Sequence, residues 1–269
     1  MRRSFLVIFI FISNFALSSH NKAGEITYRL LSGLTYEITV VTYTENGNSQ
    51  SQQADRDQLQ VFWGDFTSSI INRVSRENLP NTTWKNIYVG THLYAGPGTF
   101  KVYLVDPNRV EGIRNMDNSF NTAFYLECII MINPFLGINR SPILLIPPID
   151  YACTLRKFVH NPGAYDADGD SLIYSIIPPK QALNTDVNGF FIPQATTTFS
   201  IDRFNGELVW DSPVSGQDGK YNIAILIQEF RNGKEIGSIV RDMQIVVVIC
   251  NNDPPVLTKI QDTCIEVGK

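Results

Sequence analysis

The sequence predicts an all-β chain, and three observations carry that prediction. Apolar and polar residues alternate with a period of two through stretches rich in β-branched and aromatic side chains. Asn-Gly steps separate two pairs of such stretches, and both residues of an Asn-Gly turn accept the positive φ of a tight hairpin. Nowhere does an apolar period of 3.6 persist. Taken in order, Glu37 and Thr39 alternate with Ile38 and Val40 within 36–43, and Phe100, Val102 and Leu104 alternate with Lys101 and Tyr103. An apolar run covers 124–132. Asn205-Gly206 separates 199–201 from 208–210. Tyr221, Ile223, Ile225 and Ile227 share one face of a strand, whose other face carries Ala224, Leu226 and Phe230 beside Asn222 and Gln228. Asn232-Gly233 then turns the chain into a last strand-like stretch over 236–249. The strand spacing favours sandwiches over one barrel.

Composition and charge narrow the function. Hydrophobic residues make up 43% of the 269 and aromatics 11%, too much apolar mass for a disordered chain. Lys plus Arg total 22 against 26 Asp plus Glu, so the basic stripe of a nucleic-acid binder is not expected. Arg2 and Arg3 precede a short apolar run over 5–12, and Ala16-Leu17-Ser18 offers small residues at a cleavage site, so residues 1–18 read as a secretory signal peptide. No later segment reaches spanning length, so no transmembrane segment is expected after cleavage. The mature chain is expected to be secreted or extracellular.

A weak internal repeat places the boundaries. Asn139-Arg140-Ser141-Pro142-Ile143-Leu144 precedes Cys153, and Asn252-Asp253-Pro254-Pro255-Val256-Leu257 precedes Cys264. Each block follows a long apolar strand and reads as a linker into a new unit. The expected organisation is one sandwich over 19–136, a second over 137–250, and a linker with the start of a further repeat over 251–269. The chain stops a few residues into that repeat, so it is expected to be a fragment or to lack its natural C-terminus. The cysteines Cys128, Cys153, Cys250 and Cys264 show no zinc-site spacing. Cys153 lies near the end of the second unit's first strand and Cys250 ends its last strand, so a Cys153–Cys250 disulfide is the favoured pairing. The pairing Cys250–Cys264 with Cys128–Cys153 stays open, as does a plain buried thiol at Cys128.

The motifs add family resemblances. Trp63-Gly64-Asp65, then His92-Leu93-Tyr94 and Gly98-Thr99-Phe100-Lys101-Val102, resemble the polycystic-kidney-disease (PKD) domain. Phe66 stands where that family usually has a second glycine, so a nonstandard turn is expected. The stretch Ala164-Tyr165-Asp166-Ala167-Asp168-Gly169-Asp170-Ser171-Leu172-Ile173-Tyr174 looks like the acidic signature of cadherin-like and related immunoglobulin-like bacterial repeats. Together these resemblances imply tandem immunoglobulin-like β-sandwiches, PKD-like and then cadherin-like. Three carboxylates within five residues repel one another unless they are solvated, hydrogen-bonded or bridged by a cation, and Ca²⁺ takes such oxygens. The loop is therefore expected either to bind Ca²⁺ through Asp166, Asp168 and Asp170 or to be a hydrogen-bonded Asp turn. The cadherin resemblance places it against the preceding linker, where Asn139 and a first-unit acid such as Glu25 would complete a Ca²⁺ site. That linker differs from the cadherin one in lacking acids and in carrying Arg140.

The mature start at His20 to Tyr28, Asp106-Pro107-Asn108-Arg109-Val110, Asn115-Met116-Asp117-Asn118-Ser119 and His160-Asn161-Pro162-Gly163-Ala164 extend the likeness. The whole resembles the N-terminal region of Bacteroidota gliding-motility-associated surface proteins, which the type IX system secretes. That implies a non-enzymatic, adhesin-like module on the surface of a Gram-negative bacterium, with an unknown surface glycan or protein as partner. The sequence carries no GxSxG, HExxH, Walker or GxGxxG signature, so no catalytic residue is assigned. The alternative is a carbohydrate-binding accessory region of a secreted polysaccharide-degrading enzyme, in which Trp84 or Trp210 would stack on sugar.

Overall fold

The computed structural model describes residues 20–46 and 55–251. The signal-peptide segment, the start of the further repeat and Cys264 lie outside the described residues. The chain is all-β. Its first half holds β1 (Asn21–Ser32), β2 (Thr35–Glu45), β3 (Gln58–Phe62), β4 (Ser68–Leu79), β5 (Thr83–Leu93), β6 (Gly98–Asp106) and β7 (Phe124–Ile132). The second half holds β8 (Ile143–Leu144), β9 (Ile149–Cys153), β10 (Lys157–His160), β11 (Ala164–Tyr165), β12 (Ser171–Ile177), β13 (Lys180–Ala182), β14 (Thr185–Asp186), β15 (Phe199–Ile201), β16 (Leu208–Asp211), β17 (Gly219–Arg231) and β18 (Lys234–Val248). Among the described residues no helix is long and apolar enough to cross a membrane.

In the first half, one hydrogen-bonded path β1-β2-β5-β4-β3-β6-β7 surrounds a core that includes Ile26, Ile38, Val40, Val61, Val102, Leu104 and Leu126. In the second, β9, β18, β17 and β12 form one layer, and β10, β16 and β15 the other. Trp210 of β16 meets Tyr221 of β17 edge-on across that gap, at 5.1 Å between ring centroids. The two interiors are one contiguous apolar cluster.

Strand β18 is the pivot. Along one edge it pairs with β17 from Gly219↔Val247 to Arg231↔Lys234. Along the other it meets β7 at Gly237–Ile239, β1 at Arg241–Asp242, and β9, in parallel, at Gln244–Val248. The path β1-β2-β5-β4-β3-β6-β7 therefore starts and ends on β18. The sequence boundary at 136/137 is thus not a break in the hydrogen-bonded sheet. The stretch read as a linker is hydrogen-bonded to the first half. Ser141 N–H donates to the Tyr28 carbonyl at 3.0 Å, and Tyr28 N–H donates to Ser141 Oγ at 2.8 Å.

The turns follow their residues. Asn232 and Gly233 both take positive φ, 53° and 75°, as the hairpin requires. Asn205-Gly206 does not repeat that device. Only Gly206 is left-handed, and the β15–β16 loop is longer, with Asp202 Oδ1 accepting N–H bonds from Phe204 and Asn205. In the Trp-Gly-Asp turn Phe66 itself adopts φ 69° and its ring projects fully into solvent, so the expected nonstandard turn is an aromatic residue in the conformation glycine favours. Cys153 and Cys250 are disulfide-bonded, with Cα atoms 5.5 Å apart across 97 residues. The parallel register Val248↔Cys153 brings them together. Cys128 is a buried free thiol on β7.

Candidate functional site

The acidic loop between β11 and β12 is organised by its first aspartate. Asp166 Oδ1 accepts the N–H groups of Asp168, at 2.8 Å, and Asp170, at 3.0 Å. Gly169, at φ 80°, lets the backbone curl round that oxygen. Asp168 and Asp170 are each taken by a different arginine. Asp168 Oδ2 accepts the Arg140 N–H at 2.8 Å, while Arg140 Nε and Nη2 reach Oδ1 at 3.0 and 2.6 Å. Burial raises the Asp168 pKa, but the hydrogen bonds from Arg140 outweigh it and hold the carboxyl below the usual aspartate range. Asp170 accepts Arg231 Nε at 2.7 Å and Nη2 at 2.6 Å, the bidentate geometry a planar guanidinium favours.

Behind this loop lies Glu229 of β17, fully buried. Its Oε2 accepts the Tyr28 hydroxyl at 3.0 Å and its Oε1 accepts Asn139 Nδ2 at 3.1 Å. Asn139 Nδ2 also donates to the Tyr28 hydroxyl oxygen at 2.9 Å. No guanidinium reaches this carboxyl among the described residues. Burial pushes it up to about 8. The bonds from Tyr28 and Asn139 offset only part of that, and the charges of Asp166 and Asp170 raise it further. Its cross-strand partner is Gly237, where an added Cβ would stand 2.1 Å from the Tyr28 hydroxyl and 2.6 Å from Glu229 Oε2. The missing side chain is what lets β1, β17 and the 139–141 stretch converge.

The structure thus gathers part of the expected Ca²⁺ set. Asp166, Asp170 and Glu229 each bring an oxygen within 4.8 Å of the others, and Asn139 touches the group through Glu229. Asp168 is drawn away by Arg140, the guanidinium by which this linker differs from the cadherin one. Glu25 is elsewhere, gripped by Arg241 at 2.7 Å. As arranged, the donors do not fit Ca²⁺, because Arg231 already takes both oxygens of Asp170 and a second guanidinium stands on Asp168. Asp166 Oδ2 remains a buried oxygen without a hydrogen-bond partner. Sequence reasoning missed Glu229, although a signal was present. It extends the period-two face of Tyr221, Ile223, Ile225 and Ile227, so it had to point inward.

Other candidate side chains serve packing. His92 lies flat on Trp63, 4.8 Å between centroids, and its Nε2 sits 2.7 Å from Asp65 Oδ2. Tyr94 donates from its hydroxyl to the Trp63 carbonyl at 3.0 Å. His160 is buried with Nδ1 2.9 Å from Asp150 Oδ2, and His20 faces Phe120. Trp210 is in the core, and the Arg76 guanidinium carbon lies 3.2 Å from the Trp84 ring centre.

Fold and site together define an all-β chain whose two halves share a strand and close over a network of buried carboxylates and arginines. Neither a protein-family model nor a curated protein matches it. Among solved structures, the human desmocollin-1 ectodomain aligns at TM-score 0.27 and 11% identity, over 84% of this chain and 49% of that one. The chain therefore spans about half the length of that ectodomain. An alignment of this quality carries no argument about function.

Proposed function

We propose that this chain is a non-enzymatic structural or adhesin-like module of a larger extracellular protein. On its sequence resemblance it belongs at the surface of a Gram-negative bacterium, in the gliding-motility-associated class. The observation that carries the reading is the use of β18 by both halves. A joint built from one continuous strand resists bending, because bending it must break ladder hydrogen bonds and wet buried charges. The PKD-like unit over 19–136 and the cadherin-like unit over 137–250 would then act as one stiff spacer leading into the repeat that begins at 251–269. The Cys153–Cys250 disulfide and the leader-like residues 1–18 support an oxidising compartment. The resemblance carries Ca²⁺ with it, at Asn139, Asp166, Asp168 and Asp170. The acidic cluster such a site needs exists, but arginines hold it.

The alternative, a carbohydrate-binding accessory region, has one feature in its favour. A groove of about 430 Å³ beside the junction is lined by Thr27, Arg29, Glu37, Thr39 and Arg140, whose polar groups suit sugar hydroxyls. Against it, Trp210 is buried and Arg76 lies over Trp84. A glycan array, a panel of glycosidic and peptide substrates, and calorimetry on the mature chain separate the readings. The stiff-module reading expects any glycan or protein partner to be engaged by a distal region of the larger protein, so this chain should show no saturable glycan binding, no turnover, and a single melting transition for both halves. Saturable binding to one glycan moves the assignment to the alternative, and two separable transitions remove the stiff joint.

A further inference from the structure

Arg231 is the last residue of β17, immediately before the Asn232-Gly233 turn. Its guanidinium faces five oxygens. Nε and Nη2 take the two oxygens of Asp170 at 2.7 and 2.6 Å, and Nη1 donates to the carbonyls of Leu136 at 2.7 Å and Ile138 at 2.9 Å. Nη2 also donates to Asn139 Oδ1 at 3.3 Å. A guanidinium has five N–H groups, and each one here has an acceptor. The acceptors are a carboxylate, two backbone carbonyls and a side-chain amide oxygen, the hard neutral and anionic oxygens from which proteins build Ca²⁺ sites. Around them stand the unpartnered Asp166 Oδ2 and the Glu229 carboxyl. These oxygens come from the acidic loop, from β17 and from the stretch joining the two halves. Whatever cation sits among them locks the halves together.

We infer that Arg231 is that cation: its side chain fills the seat the resemblance assigns to a metal, so the junction closes without divalent ions. Geometry favours arginine for the task over lysine. A planar fork can address Asp170 with one edge while its remaining N–H groups reach two carbonyls and an amide, whereas an ammonium is a compact point charge with three donors. Arg140 plays the lesser part, neutralising Asp168 at the exposed rim. The inference deepens the reading of this junction as a stiff joint and rests on it for its consequence, but its test reads the cation directly.

The experiment compares melting of the full mature chain in EDTA, in Ca²⁺ and in Mg²⁺, for wild type, Arg231→Ala and Arg231→Gln. Wild type is expected to melt at the same temperature in all three solutions and to give no calorimetric Ca²⁺ binding. Arg231→Ala, which empties the seat, is expected to melt lower in EDTA and to recover most of the loss in Ca²⁺ but not in Mg²⁺. Asp170→Asn in that background abolishes the recovery. Arg231→Gln keeps hydrogen-bonding capacity without charge, and so gives a milder version of the same pattern should the alanine variant not fold. A wild-type melting temperature that rises with Ca²⁺ or falls in EDTA overturns the inference while leaving a structural module in place. Folded Arg231 variants indifferent to Ca²⁺ overturn it too. Glycan binding by wild type would sink the broader reading and leave this one standing.

Discussion

Two buried glutamates, Glu25 of β1 and Glu229 of β17, face the same junction from strands on opposite edges of β18 and meet opposite electrostatic fates. Glu25 of β1 lies directly opposite Arg241 of β18, which grips it with Nε at 2.7 Å and Nη2 at 3.0 Å. The same guanidinium also donates to the carbonyl of Ile146. Glu229 lies opposite Gly237, which offers nothing, and receives only the neutral donors Tyr28 and Asn139 with two aspartates nearby. One carboxylate is held by a matched cation, and the other is pushed toward its protonated form. Burial alone does not decide ionisation inside a protein; the fixed partner does.

Breaking the Glu25 pair should give the largest effect. Glu25→Gln leaves the fully buried Arg241 without its counter-charge, and Arg241→Met does the reverse. Each is expected to cost about 3–5 kcal/mol in urea unfolding, the usual penalty for stranding one member of a buried pair. A loss below about 1 kcal/mol would mean that water reaches the pair and the contrast with Glu229 is not real.

Glu229→Gln should act in the opposite direction. The folded-state pKa of Glu229 is raised from 4.5 to about 8. Between those values the unfolded chain has released the proton and the folded chain still holds it. Wild-type stability should therefore fall as pH rises through that window, by at most about 1.4 kcal/mol per pH unit, and level off above it. Glutamine keeps an acceptor and carries no charge, so this part of the slope should vanish and the variant should be at least as stable as wild type near pH 8. Parallel stability–pH curves for the two proteins would reject the protonated state of Glu229.

The smallest effect sharpens the geometry. Gly237→Ala drives a methyl group into the Tyr28 hydroxyl and the Glu229 carboxyl. A cost of about 1–3 kcal/mol is expected, the range for overpacking a filled interior. A neutral result would show that β1 stands further from the β17–β18 hairpin than the side-chain contacts require.

How much of this was legible in the sequence differs from residue to residue. The strand around Ile38 and Val40, the apolar face from Tyr221 to Ile227 and the Asn232-Gly233 hairpin were all visible, because alternation and positive-φ turns are local properties. The Cys153–Cys250 bridge was legible as the favoured pairing, since Cys153 read as lying near the end of the second unit's first strand and Cys250 as closing its last. Asn205-Gly206 misled, because Asp202 supplies a loop organiser that a two-residue motif does not reveal. Asp166, Asp168 and Asp170 were found as a group, but nothing nearby in sequence says that Arg231, sixty-one positions from Asp170, would reach it.

By itself, then, the amino-acid order determined the β class, the places where strands turn and the existence of an acidic loop. Backbone conformation and side-chain alternation are set by neighbours along the chain, within a few residues. Only the tertiary structure decided that β18 would serve both halves, that Glu25 would meet Arg241, and that a guanidinium would sit among the oxygens of the junction. Charge pairing depends on distances of a few ångströms between atoms far apart in sequence. Those distances exist only once the strand order has been chosen.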